Sequence, residues 1–120
     1  MAQYSNAEID SLLKVSDEAL YVKLSNIVLG EGLQFGPEDG EERRAFGARW
    51  FAHRRSEIQK IVCESDFAAK VRGNSESGDA SLTVATVADG VAAMFGKPAA
   101  LVIAILVVRM GMDKFCAATN

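Results

Sequence analysis

Residues 98–116 read PAALVIAILVVRMGMDKFC, and this stretch decides the fold. Wound at about 100° per residue, the apolar side chains from Ala99 to Val108 cover every side of a helix and leave no face for water. Other elements must therefore enclose it. The sequence predicts an all-α fold, a four-helix bundle-like single domain over residues 1–120, with the C-terminal helix 98–116 at its centre.

The same stretch is too short to cross a bilayer. Its uninterrupted apolar run spans 99–108, and Lys97 and Arg109 close it on both sides. A membrane span takes about 20 apolar residues. We therefore expect a buried core helix and no membrane partner. The alternative, a spanning helix, would have to extend back to Val91 and carry Lys97 through the lipid.

Composition is that of an ordinary globular domain, with 120 residues of which 49% are hydrophobic and 24% charged. The net charge of −3 gives no general reason to expect a nucleic-acid partner. The N-terminus, MAQYSNAEID, has neither the basic start nor the apolar run of a secretory signal. These features together predict a cytoplasmic protein.

The first predicted helix covers residues 6–29. Ser5 and Glu8 have the S-x-x-E spacing of a capping box, in which each side chain binds a backbone N–H left free by the first turn. The apolar residues that follow keep one stripe at the 3.6-residue period without a change of phase. Gly30 is expected to end the helix, and residues 30–37 are expected to form a linker.

Three further helices complete the predicted bundle. The second, 38–66, opens with acidic residues at the positive end of its dipole. Residues 68–80 are rich in Gly, Ser and charge and are expected to be a flexible surface loop. The third helix, 80–95, should end at Gly96, where Pro98 opens the central helix after a tight turn.

Two of these helices carry more apolar or small-residue surface than a four-helix monomer needs. The first has a second stripe of residues spaced by seven, and the second has a face of small residues that lets another backbone approach closely. Such surplus surface indicates an interface. The predicted interface residues on these faces are Val15, Val22, Leu29, Ala45, Ala48 and Ala52.

Arg54 is a seventh candidate interface residue, because it falls within the large apolar stripe of the second helix, where an unpaired charge is costly to desolvate. Its head is expected to reach water or to pair with Glu57. A paired arginine at an interface with another chain is the alternative, and ligand anchoring is a third. Asp89 and Asp113 are potential partners, although Arg109 lies four residues before Asp113 and competes for it.

Cys63 and Cys116 lie near the C-terminal ends of the second and fourth predicted helices, which run parallel in an up-down-up-down bundle. They are therefore expected to be neighbours in space. Free thiols in a reducing cytosol are the favoured state, and a disulfide or redox-responsive pair is the alternative. His53 lies about three turns from Cys63, too far to share a metal ion with it.

Catalysis is not expected. His53, the only histidine, has Glu57 four residues on, but the local sequence places no nucleophile or metal ligand beside them. The chain has no phosphate-binding glycine loop, Cys-x-x-Cys, H-E-x-x-H or G-x-S-x-G motif. We predict a non-enzymatic protein without a cofactor or metal.

Nucleic-acid binding is not expected either, because the basic residues of the second helix share no single face. They are Arg43, Arg44, Arg49, Arg54, Arg55 and Lys60.

Two functions fit these observations. The first is a small protein-interaction module that self-associates, as a homodimer for example, or docks on a larger partner as an adaptor, inhibitor or immunity protein. The second is a small-ligand or lipid-binding bundle with an internal cavity. The residues expected to line that cavity are Phe46, Trp50, Met94, Phe95, Met110 and Met112.

Overall fold

A computed structural model describes residues 5–29, 40–76 and 80–117, and the regular elements in these ranges are all helices. The all-α, bundle-like prediction is confirmed, but seven helices replace the four expected over this part of the chain. In chain order they are α1 (Asn6–Leu13), α2 (Asp17–Leu29), α3 (Gly40–Val62), α4 (Ser65–Glu76), α5 (Ala80–Phe95), α6 (Lys97–Met110) and α7 (Met112–Ala117). The predicted linker 30–37 lies outside the described residues.

The central position of α6 is confirmed. All nine residues from Ala99 to Val107 are buried, so the helix is enclosed on every side. It packs chiefly against α5 and α2, with α1 and α7 completing the enclosure. Gly96 separates α5 from α6 with a φ of 83°, and Gly111 ends α6 with a φ of 93°. Both angles lie in the left-handed region that glycine tolerates, so the predicted helix 98–116 is wrong beyond Met110.

The predicted single helix 6–29 is also wrong in its middle. The Ser5–Glu8 capping box forms as expected, but α1 ends at Leu13 and α2 begins at Asp17. The hydroxyl of Ser16 accepts a hydrogen bond from the N–H of Ala19 at 3.2 Å, as a cap of the second helix does.

Arg109 holds this break in place from the last turn of α6. Its Nη1 lies 2.8 Å from Asp17 Oδ1. Its Nη2 donates to the carbonyl of Leu13 at 2.7 Å, to that of Leu12 at 3.4 Å and also to that of Val15. One guanidinium therefore binds carbonyls at the end of α1 and in the break, together with a carboxylate at the start of α2.

Replacing Arg109 with methionine is expected to lower the free energy of unfolding by about 2 kcal/mol, because hydrogen bonds to a charged donor are lost from a partly buried site. Arg109→Lys should recover only part of this loss, since one ammonium cannot reproduce the planar fork. Urea unfolding of the three proteins measures both differences. Equal stability of the lysine variant and the natural protein would contradict this account.

The expected flexible loop over 68–80 is wrong for most of its length. Residues 65–76 form α4, and residues 77–79 lie outside the described part of the chain. Ala68 and Val71 are buried. The Phe67 ring packs directly on Gly90 of α5, where a Cβ added to the glycine would lie 2.5 Å from two carbons of the ring. Glu64 Oε1 accepts from the N–H of Phe67 at 3.1 Å. This short apolar stripe is enough to dock a helix whose composition resembles a loop.

Gly47 allows α2 and α3 to approach closely. A Cβ at this position would lie 2.1 Å from the carbonyl oxygen of Tyr21. On either side of this point, Arg43 Nη1 donates to Asn26 Oδ1 at 2.8 Å, and the rings of Tyr21 and Phe51 lie 6.4 Å apart. The close backbone contact therefore uses Gly47, which the sequence analysis did not identify, and not the alanine face.

Tyr21 gives this contact a pH dependence. Burial raises the pKa of its phenol above the ordinary 10.0, and the charges of Asp17 and Glu18 raise it further against a smaller opposing effect of Arg44. The folded protein thus keeps a proton that the unfolded chain loses, so stability should fall as the pH rises above about 10. Guanidinium midpoints measured across that pH range should fall less steeply for Tyr21→Phe, and identical slopes would contradict this account.

The C-terminal helix α7 is fastened to one side of α3. The Phe115 side chain is fully buried, and its carbonyl accepts from Gln59 Nε2 at 2.8 Å and from Arg55 Nη2 at 3.3 Å. The Arg55 guanidinium also lies 4.8 Å from the centre of the Phe115 ring. Arg55, Gln59 and Cys63 are spaced by four, so they form one stripe that faces α7.

Cys63 and Cys116 are joined by a disulfide, with their Cα atoms 5.7 Å apart. Their predicted proximity is confirmed, whereas the favoured expectation of two free thiols is wrong. The predicted straight helix 98–116 offered no reason for Cys116 to point toward Cys63. The turn at Gly111 supplies that reason, because it folds α7 back onto the Cys63 side of α3.

Candidate functional site

The most distinctive surface feature is a shallow depression of about 280 Å³ on the outer side of α3, here called the aromatic groove. It joins two half-buried aromatic side chains to three exposed basic or imidazole side chains. The residues that line it are Phe46, Arg49, Trp50, His53 and Arg54.

Trp50 is fixed within this groove. Its ring meets that of Phe95 from α5 edge to face, with centres 5.6 Å apart. The guanidinium of Arg54 lies 5.7 Å from the Trp50 ring centre, within the range of a cation–π interaction. Met94, the residue before Phe95, is 55% exposed. The groove is therefore an oriented aromatic surface held between two helices.

Arg54 is itself exposed and pairs with Glu57, whose Oε1 lies 3.4 Å from its Nη1. The expectation that its head reaches water or pairs with Glu57 is confirmed. The buried side of α3 is rotated toward Phe51 and Ile58, away from Arg54. The helix packs chiefly against α2, and α7 lies on its Arg55 side. Asp113 belongs to the residues whose side chains are not described.

The predicted interface residues do not form one surface. Val15 is half-buried and packs against the core from the break between α1 and α2. Val22 and Leu29 of α2 are half-buried outside the core cluster. On the small-residue face, Ala45 and Ala48 are half-buried and Ala52 is exposed, while the C-terminal continuation of this face is covered by α7. Of the seven predicted residues, Arg54 is the one that lines the aromatic groove.

The expected ligand cavity is divided between separate places. Phe46 and Trp50 line the aromatic groove, which Phe95 adjoins. Met110 lines a different depression beside Arg109. The side chain of Met112 lies outside the described set.

A second groove, of about 250 Å³, lies where α1, α2 and the start of α6 meet. Its floor is mainly aliphatic, and Lys23 and Glu8 add opposite charges. The remaining lining residues are Ser11, Leu12, Ile27, Pro98, Leu101 and Val102.

His53 lies at the exposed edge of the aromatic groove. Within residues 5–29, 40–76 and 80–117, no three His, Cys, Asp or Glu side chains gather as metal ligands would. No helix within these residues has the length and hydropathy of a membrane span.

Phe46 and Trp50 were expected to line an internal cavity, so the groove was missed as a surface. The available signal was Arg54, one turn after Trp50 in the same stripe, since a charge inside an apolar stripe marks where that stripe leaves the core. The sequence matches no known family model, and comparisons with curated proteins and with solved structures find no match.

Proposed function

We propose that the protein is a small, non-enzymatic interaction module that docks on another protein through the aromatic groove. The observation that supports this best is the half-exposed Trp50 ring, held by Phe95 and flanked by Arg49 and Arg54. Tryptophan and arginine are the residue types that most often dominate binding energy at protein interfaces. A ring that is already oriented loses little conformational entropy on binding.

Docking on a larger partner gives the module the role of an adaptor, an inhibitor or an immunity protein. In the alternative form, a homodimer, the groove of each copy would contact the groove of the other. The proposed function requires only that the groove be covered by protein, so one experiment distinguishes the two forms.

Photo-cross-linking from Met94 tests the proposal. A benzophenone amino acid is placed at Met94 or, in the control, at Leu82, which is 46% exposed near the other end of the same helix α5. Irradiation in the host cell should give a discrete adduct from position 94 and not from position 82. The adduct should be lost when Trp50 is also replaced by alanine.

Each outcome of this experiment is informative. An adduct of twice the chain mass supports the homodimer, and an adduct with one other protein that purified components reproduce supports docking on a partner. Adducts that are equal from positions 82 and 94, or that survive Trp50→Ala, would overturn the proposed function.

A small-ligand or lipid-binding bundle is the second candidate, and the groove between α1, α2 and α6 favours it. An aliphatic floor of Leu12, Ile27 and Val102 suits a short apolar chain, and Lys23 suits an acidic head group. Native mass spectrometry of protein from its own host should then show a retained ligand that Leu12→Glu removes. A clean apo mass would count against this candidate.

The cytoplasmic location of the protein is also a proposal. The predicted cytoplasm keeps most thiols reduced, whereas the disulfide between Cys63 and Cys116 is typical of an oxidising environment. Alkylation of the protein in intact cells, with and without prior reductant, measures its thiol state. Free labelling of both cysteines supports the cytoplasmic prediction, and labelling only after reduction contradicts it.

A further inference from the structure

We propose that the partner presents an acidic segment with an aliphatic anchor to the aromatic groove. This inference rests on the proposed function and adds the chemistry of the partner. The charges around the groove, the loose pairing of Arg54 and the shape of the aromatic surface support it.

The groove carries a charge opposite to that of the whole chain. Among the described residues, its lining contains Arg49, His53 and Arg54 but no carboxylate, although the chain has a net charge of −3. Arg49 is exposed and forms no ion pair or hydrogen bond among the residues that the structure describes. An approaching carboxylate can therefore pair with Arg49 without displacing a partner from the described part of the chain.

Arg54 is available to a second carboxylate at low cost. Its contact with Glu57 is long, at 3.4 Å, and the two side chains are 47% and 43% exposed. Exposed pairs of this kind contribute little to stability. A carboxylate from a partner can replace Glu57 while the Arg54 stem stays beside the Trp50 ring.

A second copy of the chain is the less suitable occupant. In a two-fold dimer through this groove, the same patch meets itself, so Arg49 and Arg54 of one copy face the same basic residues of the other. Like charges opposed across an interface reduce affinity and slow association. An acidic segment would instead place carboxylates opposite Arg49 and Arg54, so the charges would attract each other.

The anchor is inferred from the shape of the groove. Phe46 and Trp50 are half-buried at a shallow, open depression, so they can cover one aliphatic side chain but cannot enclose a ligand. A short segment with a leucine between carboxylates places the apolar group on the rings and the charges on the arginines.

Trp50 supplies the readout, because it is the only tryptophan of the chain. Its emission is followed during titration with an acetylated peptide of alternating Glu and Leu. Matched peptides replace every Glu by Lys or every Leu by Ser, and oligo-deoxythymidine tests the nucleic-acid alternative. The Glu–Leu peptide should bind about tenfold more tightly than either matched peptide, as expected for two ion pairs of surface strength plus an apolar contact.

Three charge variants locate the binding. Arg49→Glu should weaken binding of the Glu–Leu peptide about tenfold, whereas Lys70→Glu, an equal charge change on the exposed side of α4, should leave it unchanged. Glu57→Gln should strengthen binding about threefold, because it frees Arg54 from its own carboxylate. All three positions are on the surface, so circular dichroism should report an unchanged helical fold.

The inference is overturned if no peptide changes the Trp50 emission, if the Glu–Leu and Lys–Leu peptides bind equally, or if Arg49→Glu and Lys70→Glu have the same effect. Binding of oligo-deoxythymidine that competes with the Glu–Leu peptide would assign the groove to nucleic acid. A Trp50-dependent adduct from Met94 together with a failed titration would keep the proposed function and reject only the acidic partner.

Discussion

Replacing both cysteines, as Cys63→Ser with Cys116→Ser, is expected to lower the free energy of unfolding by about 4 kcal/mol relative to the oxidised protein. The bond joins residues 53 positions apart, so it removes a large share of the conformational freedom of the unfolded chain. Guanidinium unfolding, with the free energy and its denaturant slope fitted together, measures the loss. We expect the variant to keep its helical fold at low denaturant concentration.

The natural protein unfolded in the presence of a dithiol reductant is the matched control. It should resemble the double serine variant, because both lack the cross-link and keep the contacts of Gln59 and Arg55 with the Phe115 carbonyl. A double variant as stable as the oxidised protein would show that the bond adds nothing to the noncovalent attachment of α7. Equal loss on reduction and on substitution is the expected result.

Replacing Gly47 with alanine is expected to lower the free energy of unfolding by about 3 kcal/mol. The new Cβ would stand 2.1 Å from the carbonyl oxygen of Tyr21, a backbone atom that cannot rotate away, so α2 and α3 must separate. Separation would weaken the packing between the rings of Tyr21 and Phe51 as well. Urea unfolding measures the cost.

Gly73→Ala in α4 is the matched control, because a Cβ at that helical position meets nothing within 4 Å. There the alanine should stabilise the protein by about 0.5 to 1 kcal/mol, through the lower entropy of the unfolded chain. The same change from glycine to alanine is thus expected to lower the free energy of unfolding at position 47 and to raise it at position 73. If Gly47→Ala were neutral or stabilising, the close approach of α2 and α3 would be wrong.

The sequence was sufficient to predict the central helix, because burial of a segment that is apolar on every side does not depend on its neighbours. It was insufficient for the break between α1 and α2. The apolar stripe keeps its phase across residues 14–16, and the interruption is held by Arg109, a residue more than ninety positions away. Contacts of this kind are invisible to a local pattern.

The error over 68–80 has a different cause. Gly, Ser and charged residues indicate a loop on average, but Phe67 and Val71, spaced by four, provide one apolar stripe that α5 accepts beside Gly90. Tertiary packing here overrides a weak local propensity. The length of α4 follows from its neighbour and not from its composition.

The aromatic groove was predicted only in part. Arg54 was recognised as an interface candidate, but Phe46 and Trp50 were expected to line an internal cavity. Which side of a long amphipathic helix faces inward depends on the elements that pack against it, and α7 was not predicted as a separate element. It attaches to α3 through Gln59 and Cys63, while α2 is the main packing partner of α3.

The bond between Cys63 and Cys116 also divides the molecule topologically. A protease that cuts once anywhere between these two residues leaves a single covalent molecule on a non-reducing gel, whereas a cut before Cys63 releases two pieces. The buried helix α6 therefore lies inside the loop that the disulfide closes, and this loop stays covalently joined after one cut. Trp50 and the other residues that line the aromatic groove precede Cys63 and lie outside the loop. A protease that cuts between Trp50 and Cys63 can therefore separate Trp50 from the disulfide-closed loop while that loop stays intact.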